Sequence, residues 1–191
     1  MDKTLTGMRV AILVADDFEQ VELTEPRDIL EQAGATTTLV APKAGQVHGM
    51  QHDVKADAFD VGLSFEQANA HDFDAVLLPG GVINADQLRT VPAAQEFVKD
   101  IAAANKPIAV ICHGPWLLVS ADLVDGRTLT SWPSLRDDIV NAGGKWVDQE
   151  VAVDDTWVSS RKPGDIPAFG AAMLEVFGRQ MTHPRVAVAG V

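Results

Sequence analysis

Short apolar runs rich in β-branched residues recur along the chain, each followed by a polar turn and an amphipathic stretch. MRVAILVA over 8–15, TTTLVA over 36–41, DAVLL over 74–78 and IAVI over 108–111 have no strict polar–apolar alternation. Such continuous runs are the pattern of strands buried on both faces. Between them the pattern predicts helices over 21–33 (stopped by Gly34), 64–70, 93–105, 116–125, 135–142 and 167–177. Pro26 fits the first of these only if that helix starts late or kinks. Residues 42–56 are Gly-rich and polar and read as an antiparallel hairpin or a long loop; 82–86 reads as a loop. Short strands are expected at 128–131 and 145–147, and a hairpin at 151–153 and 157–159 across Asp154 and Asp155. Strands alternating with helices predict a doubly wound α/β fold, a mainly parallel sheet sandwiched by helices. One domain is expected over 8–178, with a flexible tail at 1–7 and a C-terminal extension at 179–191.

In that architecture ligands sit at the carboxyl ends of the strands. Three strand ends then converge, carrying Glu19 and its neighbours, the Gly80-Gly81 turn, and Cys112-His113. Cys112 is the single cysteine, placed where a buried strand breaks through Gly114 and Pro115 into a helix. The free N–H groups and dipole of a helix start favour an anion, so the position biases a thiol towards thiolate. An inert buried cysteine is the plainer alternative; the adjoining His113 and the turn favour a working one. Glycine lets backbone N–H groups approach a ligand closely, which suits Gly80 and Gly81, with the N–H of His113, to hold an oxyanion. Glu19 either complements the helix dipole or faces the sulfur; a carboxylate and a thiolate in contact titrate as one unit. His113 follows Cys112 directly, and adjacent extended residues point to opposite sides, so it is not expected to reach the sulfur as a base. It either moves protons on a substrate or caps the turn.

Composition narrows the class. The 191 residues carry 15 Lys+Arg against 27 Asp+Glu, a net charge of −12, with no basic run, which disfavours nucleic-acid binding. No apolar run is long enough to span a membrane, and the start of the chain has no signal-peptide pattern. One cysteine precludes an internal disulfide and fits the cytoplasm. His48 and His52 have H-x3-H spacing, but the glycines around them argue against a metal helix, so neither metal nor cofactor is expected. The four tryptophans (Trp116, Trp132, Trp146 and Trp157) read as core and pocket walls.

ADDFEQVEL at 15–23, LLPGG at 77–81, ICHGPWLL at 111–118, TSWPSLRDDIVNAGGKWVDQEV at 130–151 and WVSSRKPGD at 157–165 together resemble the PfpI family of intracellular protease-like and stress-response proteins. The resemblance runs in order from about 8 to 178. It implies a flavodoxin-like domain, at least a homodimer, a nucleophilic Cys112 and a Glu19 bonded to its sulfur. It also implies an acid from the adjacent subunit, at the position matching Asp86, that orients His113. The activities it implies are peptidase or amidase, glyoxalase-type conversion of methylglyoxal, deglycation and stress protection.

An activated thiolate adds readily to an aldehyde, whereas amide cleavage also needs a well-aligned acid for the leaving amine. Small-carbonyl chemistry is therefore favoured, with peptide hydrolysis second. The rival from another class is a non-catalytic redox sensor or chaperone-like protein that uses oxidation of Cys112.

Overall fold

The computed structural model describes residues 4–182. In chain order the elements are β1 (Arg9–Leu13), β2 (Phe18–Glu19), α1 (Gln20–Gln32), β3 (Thr36–Ala41), β4 (Gln46–Gln51), β5 (Val54–Asp60), β6 (Leu63–Ser64) and β7 (Ala75–Leu78). They continue with α2 (Val82–Arg89), α3 (Pro92–Ala103), β8 (Ile108–Ile111), α4 (Pro115–Ser120), β9 (Thr128–Leu129) and α5 (Arg136–Asn141). The last are β10 (Lys145–Trp146), β11 (Val151–Asp154), β12 (Trp157–Ser160) and α6 (Ile166–Thr182).

Seven strands form the central sheet in the order β11-β12-β8-β7-β1-β3-β6. All neighbours are parallel except the edge pair β11 and β12. The unbroken apolar runs are explained by burial on both faces. Val10 and Ile12 of β1 enter one core with Leu23 and Leu30 of α1 and Phe169, Met173 and Phe177 of α6. Ala11 and Leu13 enter the other core, with Phe97 and Ile101 of α3, Leu117 and Leu118 of α4 and Ile139 of α5. This is the doubly wound, flavodoxin-like arrangement.

The segment read as hairpin or loop is a hairpin, β4 against β5, and β2 pairs with β4. Residues 82–86, expected as a loop, lie within helix α2, because Asn84 and Ala85 turn inward there while Val82, Ile83 and Asp86 stay exposed. Residues 64–70, expected as a helix, make the short edge strand β6, turns and the start of a single 3-10 turn at Ala70–Asp72. The helix after Cys112 ends at Ser120, well before Asp125. Pro26 lies inside α1; the hydrogen bond it cannot make would have gone to the carbonyl of Glu22.

At the ends of the chain, the expected tail at 1–7 contributes Leu5, which is fully buried with its N–H on the carbonyl of Ala33 at 2.9 Å. Helix α6 runs past residue 178 to Thr182. The remainder of the expected extension, 183–191, lies outside the described residues.

Candidate active site

The strand ends of β1, β7 and β8 meet at one cavity of about 300 Å³. Among its lining residues are Asp17, Glu19, Glu22, Gly81, Cys112, His113 and Trp132. Cys112 stands immediately after β8 with φ 61°, a left-handed conformation that non-glycine residues adopt at a cost. Its N–H donates to the carbonyl of Ser160 at 3.1 Å, and its own carbonyl accepts the N–H of Trp132 at 2.9 Å. The elbow is thus tied on one side to β12 and on the other to the loop carrying Trp132.

That backbone reversal brings the neighbouring imidazole to the sulfur. Cys112 Sγ and His113 Nδ1 are 3.2 Å apart. The expectation that His113 would point away is corrected here: alternation of side chains holds for extended backbone and ends at a residue with positive φ. The imidazole lies 5.3 Å from the Trp116 ring and stacks on Trp132 at 5.8 Å. Burial lowers its pKa to about 4, so at neutral pH it is uncharged, with one ring nitrogen free to accept a proton.

The carboxyl group against the sulfur belongs to Glu22, not Glu19. Glu22 is fully buried and lies against the Cys112 thiol. Its Oε2 accepts the N–H of Gly80 at 2.9 Å, and among the described residues no hydrogen-bond partner reaches the buried Oε1. Burial, opposed only in part by the hydrogen bonds from Cys112 and Gly80, lifts the Glu22 pKa to about 8. Glu22 therefore keeps its proton at neutral pH.

Burial also pushes the thiol upward, with the nearby Glu22 acting in the same direction. Desolvation outweighs the helix start, which on its own favours the low thiol pKa expected from the sequence. The N–H groups of Gly81 and His113 partly oppose the rise. Thiol and carboxyl form a coupled pair that holds its protons tightly and, on losing one, is stabilised as a monoanion.

Glu19 stands at the N-cap position of α1, three residues earlier, and makes no side-chain capping hydrogen bond. Its Oε2 accepts the N–H of His52 at 3.2 Å at the rim of the cavity. Gly80, expected among the oxyanion donors, spends its N–H on Glu22. A Cβ at Gly80 would lie 2.4 Å from Glu22 Oε2 and 2.6 Å from Cys112 Cβ, so only glycine lets the pair close. Gly81, at φ 89°, and His113 turn their N–H groups to the sulfur.

Asp86 is exposed on α2; within the chain the imidazole meets Cys112, Trp116 and Trp132. His48 and His52 sit on the β4–β5 hairpin against Asp16 and Glu19. Among the described residues no cluster of three His, Cys, Asp or Glu side chains is placed to hold a metal ion.

Two residues that the sequence did not single out hold this frame. Asn84 is fully buried. Its Oδ1 accepts the N–H of Ala15 at 2.7 Å, and its Nδ2 donates to the carbonyls of Pro79 and Gly80 at 3.2 and 2.9 Å. It fastens the end of β1 to the Gly80-Gly81 turn. Asp17, at φ 62°, begins the cavity wall.

Residues 8–176 match the model of the DJ-1/PfpI family. The chain belongs to the DJ-1/PfpI family. Among family members, Deglycase PfpI of Pyrococcus furiosus is 40% identical over 163 residues, covering 85% of this chain and 95% of the relative. General stress protein 18 of Bacillus subtilis is 40% identical over 170 residues, covering 88% and 96%. In three dimensions the crystal structure of Drosophila melanogaster DJ-1beta matches with a TM-score of 0.79 at 27% identity, covering 96% of this chain and 99% of that one. Family membership extends over the doubly wound sheet and all three loops of the cavity, and both resemblance and fold expectation hold.

Proposed function

We propose that the protein is a cysteine-dependent enzyme of reactive-carbonyl defence that converts 2-oxoaldehydes, and their early adducts on amines, to 2-hydroxy acids. One observation carries this reading. Cys112 lies at the floor of a cavity with its sulfur 3.2 Å from an imidazole and beside a carboxyl that keeps its proton. The names of the two relatives, a deglycase and a general stress protein, support it.

The thiolate adds to the aldehyde carbon, and the carbonyl electron pair moves to oxygen, which the N–H groups of Gly81 and His113 stabilise. Glu22 gives its proton to this oxygen as it takes the proton of the Cys112 thiol, and so ends the step protonated. The uncharged imidazole of His113 then takes the proton from the former aldehyde carbon while Glu22 protonates the adjacent carbonyl oxygen; the resulting enediol receives the proton held by His113 at its second carbon and returns the proton of its first oxygen to Glu22, leaving a 2-hydroxyacyl thioester. Water cleaves the thioester, releasing the 2-hydroxy acid and restoring the thiol. An amine adduct first expels its amine as the carbon–nitrogen bond breaks. The sum is substrate plus water, with no external oxidant or reductant.

A cavity of about 300 Å³ is at the small end for ligand sites and suits a few non-hydrogen atoms better than an extended peptide. We place the enzyme in the cytoplasm as a homodimer in which Asp86 of the partner subunit orients His113. Purified protein is expected to turn methylglyoxal into lactate, mole for mole, without glutathione. Loss of methylglyoxal with no lactate, while Cys112 still reacts with iodoacetamide, would overturn the proposal.

A further inference from the structure

The imidazole of His113 is met by two indoles. Trp132 stacks on it with planes 26° apart, and Trp116 crosses it at 62° with ring centroids 5.3 Å apart. Trp132 takes its place from the elbow itself, since its N–H donates to the carbonyl of Cys112. Trp116 is fixed from elsewhere. Its Nε1–H donates to Oδ2 of Asp138, in the first turn of α5, at 2.7 Å. The guanidinium of Arg89, in the last turn of α2, lies over the indole 5.1 Å from its centroid. That guanidinium is in turn held by Ser120 of α4, whose Oγ accepts its Nε–H at 3.0 Å. Groups from α2 and α5 thus pin a ring that belongs to α4.

Packing alone asks for less. A half-buried indole N–H needs an acceptor, and a carboxylate makes the shorter and stronger charge-assisted bond. A guanidinium over the face adds its own attraction. A stacked ring fixes the plane of an imidazole but lets it slide within that plane; a second ring crossing the plane removes this freedom. His113 is only 6% exposed and its Nδ1 faces the sulfur at 3.2 Å, so its place there depends on the rings around it. Unlike the acid proposed from a partner subunit, this brace lies within one chain.

We infer that Trp116 is a positioning residue for the proposed reaction, and that Asp138, through the indole N–H, keeps it where it holds the His113 imidazole at the Cys112 sulfur. The inference rests on the proposed carbonyl chemistry for the step that His113 performs, while the bracing itself is read from the imidazole.

The sign of one titration separates bracing from plain electrostatics. Burial is what lowers the His113 pKa to about 4 from 6.5, so a loosened ring that meets water moves back upward. Removal of a negative charge at Asp138 acts in the opposite sense, because it disfavours the imidazolium. The titratable groups that share the cavity with His113 are Asp17, Glu19, Glu22, His52 and Cys112, and a change at Asp138 leaves all of them in place.

The experiment is nitrogen-15 NMR of the imidazoles between pH about 8 and about 5.5, with the His113 signal identified as the one missing from His113→Gln. In the parent, His113 is expected to stay uncharged and in one tautomer down to pH about 5.5. Asp138→Ala, which places a good helix former in α5, and Trp116→Leu are each expected to raise the midpoint by about one unit or more, so that His113 begins to titrate within the window. In both, kcat for lactate is expected to fall about tenfold with KM little changed. Asp138→Asn keeps an acceptor for the indole and is expected to restore the parental signal. Asp137→Ala, at the exposed neighbouring acid of the same helical turn, is expected to leave it unmoved.

A midpoint that stays put or falls in Asp138→Ala would overturn the inference. So would an equal rise in Asp137→Ala, since that would assign the effect to the stability of α5. A raised midpoint in Asp138→Ala, with no lactate from the parent, would sink the carbonyl reading and leave the brace standing; lactate from the parent with an unmoved midpoint would do the reverse.

Discussion

Cys112→Ser is expected to lower lactate formation from methylglyoxal by about a thousandfold or more while the thermal midpoint stays close to that of the parent. Serine has nearly the same shape and tolerates the elbow at φ 61° no worse than cysteine. Its hydroxyl can still hydrogen-bond to Glu22 and to His113 Nδ1, so the cavity is preserved. What changes is the nucleophile. A serine hydroxyl ionises far less readily than a thiol, and neither Glu22 nor His113 is basic enough here to compensate, because Glu22 holds its proton to about 8 and His113 resists a second proton down to about 4. The check is lactate assayed beside unfolding curves for both proteins. Retention of a tenth of parental turnover would remove Cys112 from the mechanism.

Glu22→Gln is the second large effect and has two separate signatures. Glutamine keeps the shape and can donate an N–H to the sulfur, but it cannot release a proton, so turnover is expected to fall by about a hundredfold. Stability moves the other way. The Glu22 pKa rises from 4.5 in the unfolded chain to about 8 in the folded one, so the folded state binds the proton more tightly. The associated stability is complete below about 4.5 and is lost as pH rises towards about 8. Across that window the parent is expected to lose on the order of a few kcal/mol that Glu22→Gln does not lose. Denaturant unfolding of both proteins at several pH values checks the sign: the variant gains on the parent as pH increases. A constant difference between them would mean that Glu22 is ionised throughout.

The elbow was legible because its signals are local. A β-branched run, a lone cysteine, and glycine and proline in the next three positions leave the chain few options but strand, turn and helix. The convergence of three loops followed from the parallel sheet, which the unbroken apolar runs required. The choice between Glu19 and Glu22 was less accessible, since the two lie about one helical turn apart and the helix start decides which faces inward. Helix α1 begins at Gln20, which puts Glu22 on the buried stripe with Leu23, Pro26 and Leu30. An acid on the apolar stripe was the available signal, because a buried acid without a role is rare.

The position of His113 is hidden in the sequence for a different reason: side-chain alternation holds only in extended backbone and ends where the chain reverses at Cys112. Asn84 had no signal in VINADQLR, because its three hydrogen bonds go to backbone groups of Ala15, Pro79 and Gly80, and only the packed loops reveal them.

The central claim is that a proton resides on Glu22 beside the sulfur at neutral pH, and infrared spectroscopy reads it directly. The difference spectrum of parent minus Glu22→Gln at pH about 6 is predicted to show the carbonyl stretch of a protonated carboxylic acid, fading as pH passes about 8. A carboxylate band in its place at pH about 6 would contradict the account, because Glu22 would then be an ion facing the thiol and could not supply the proton.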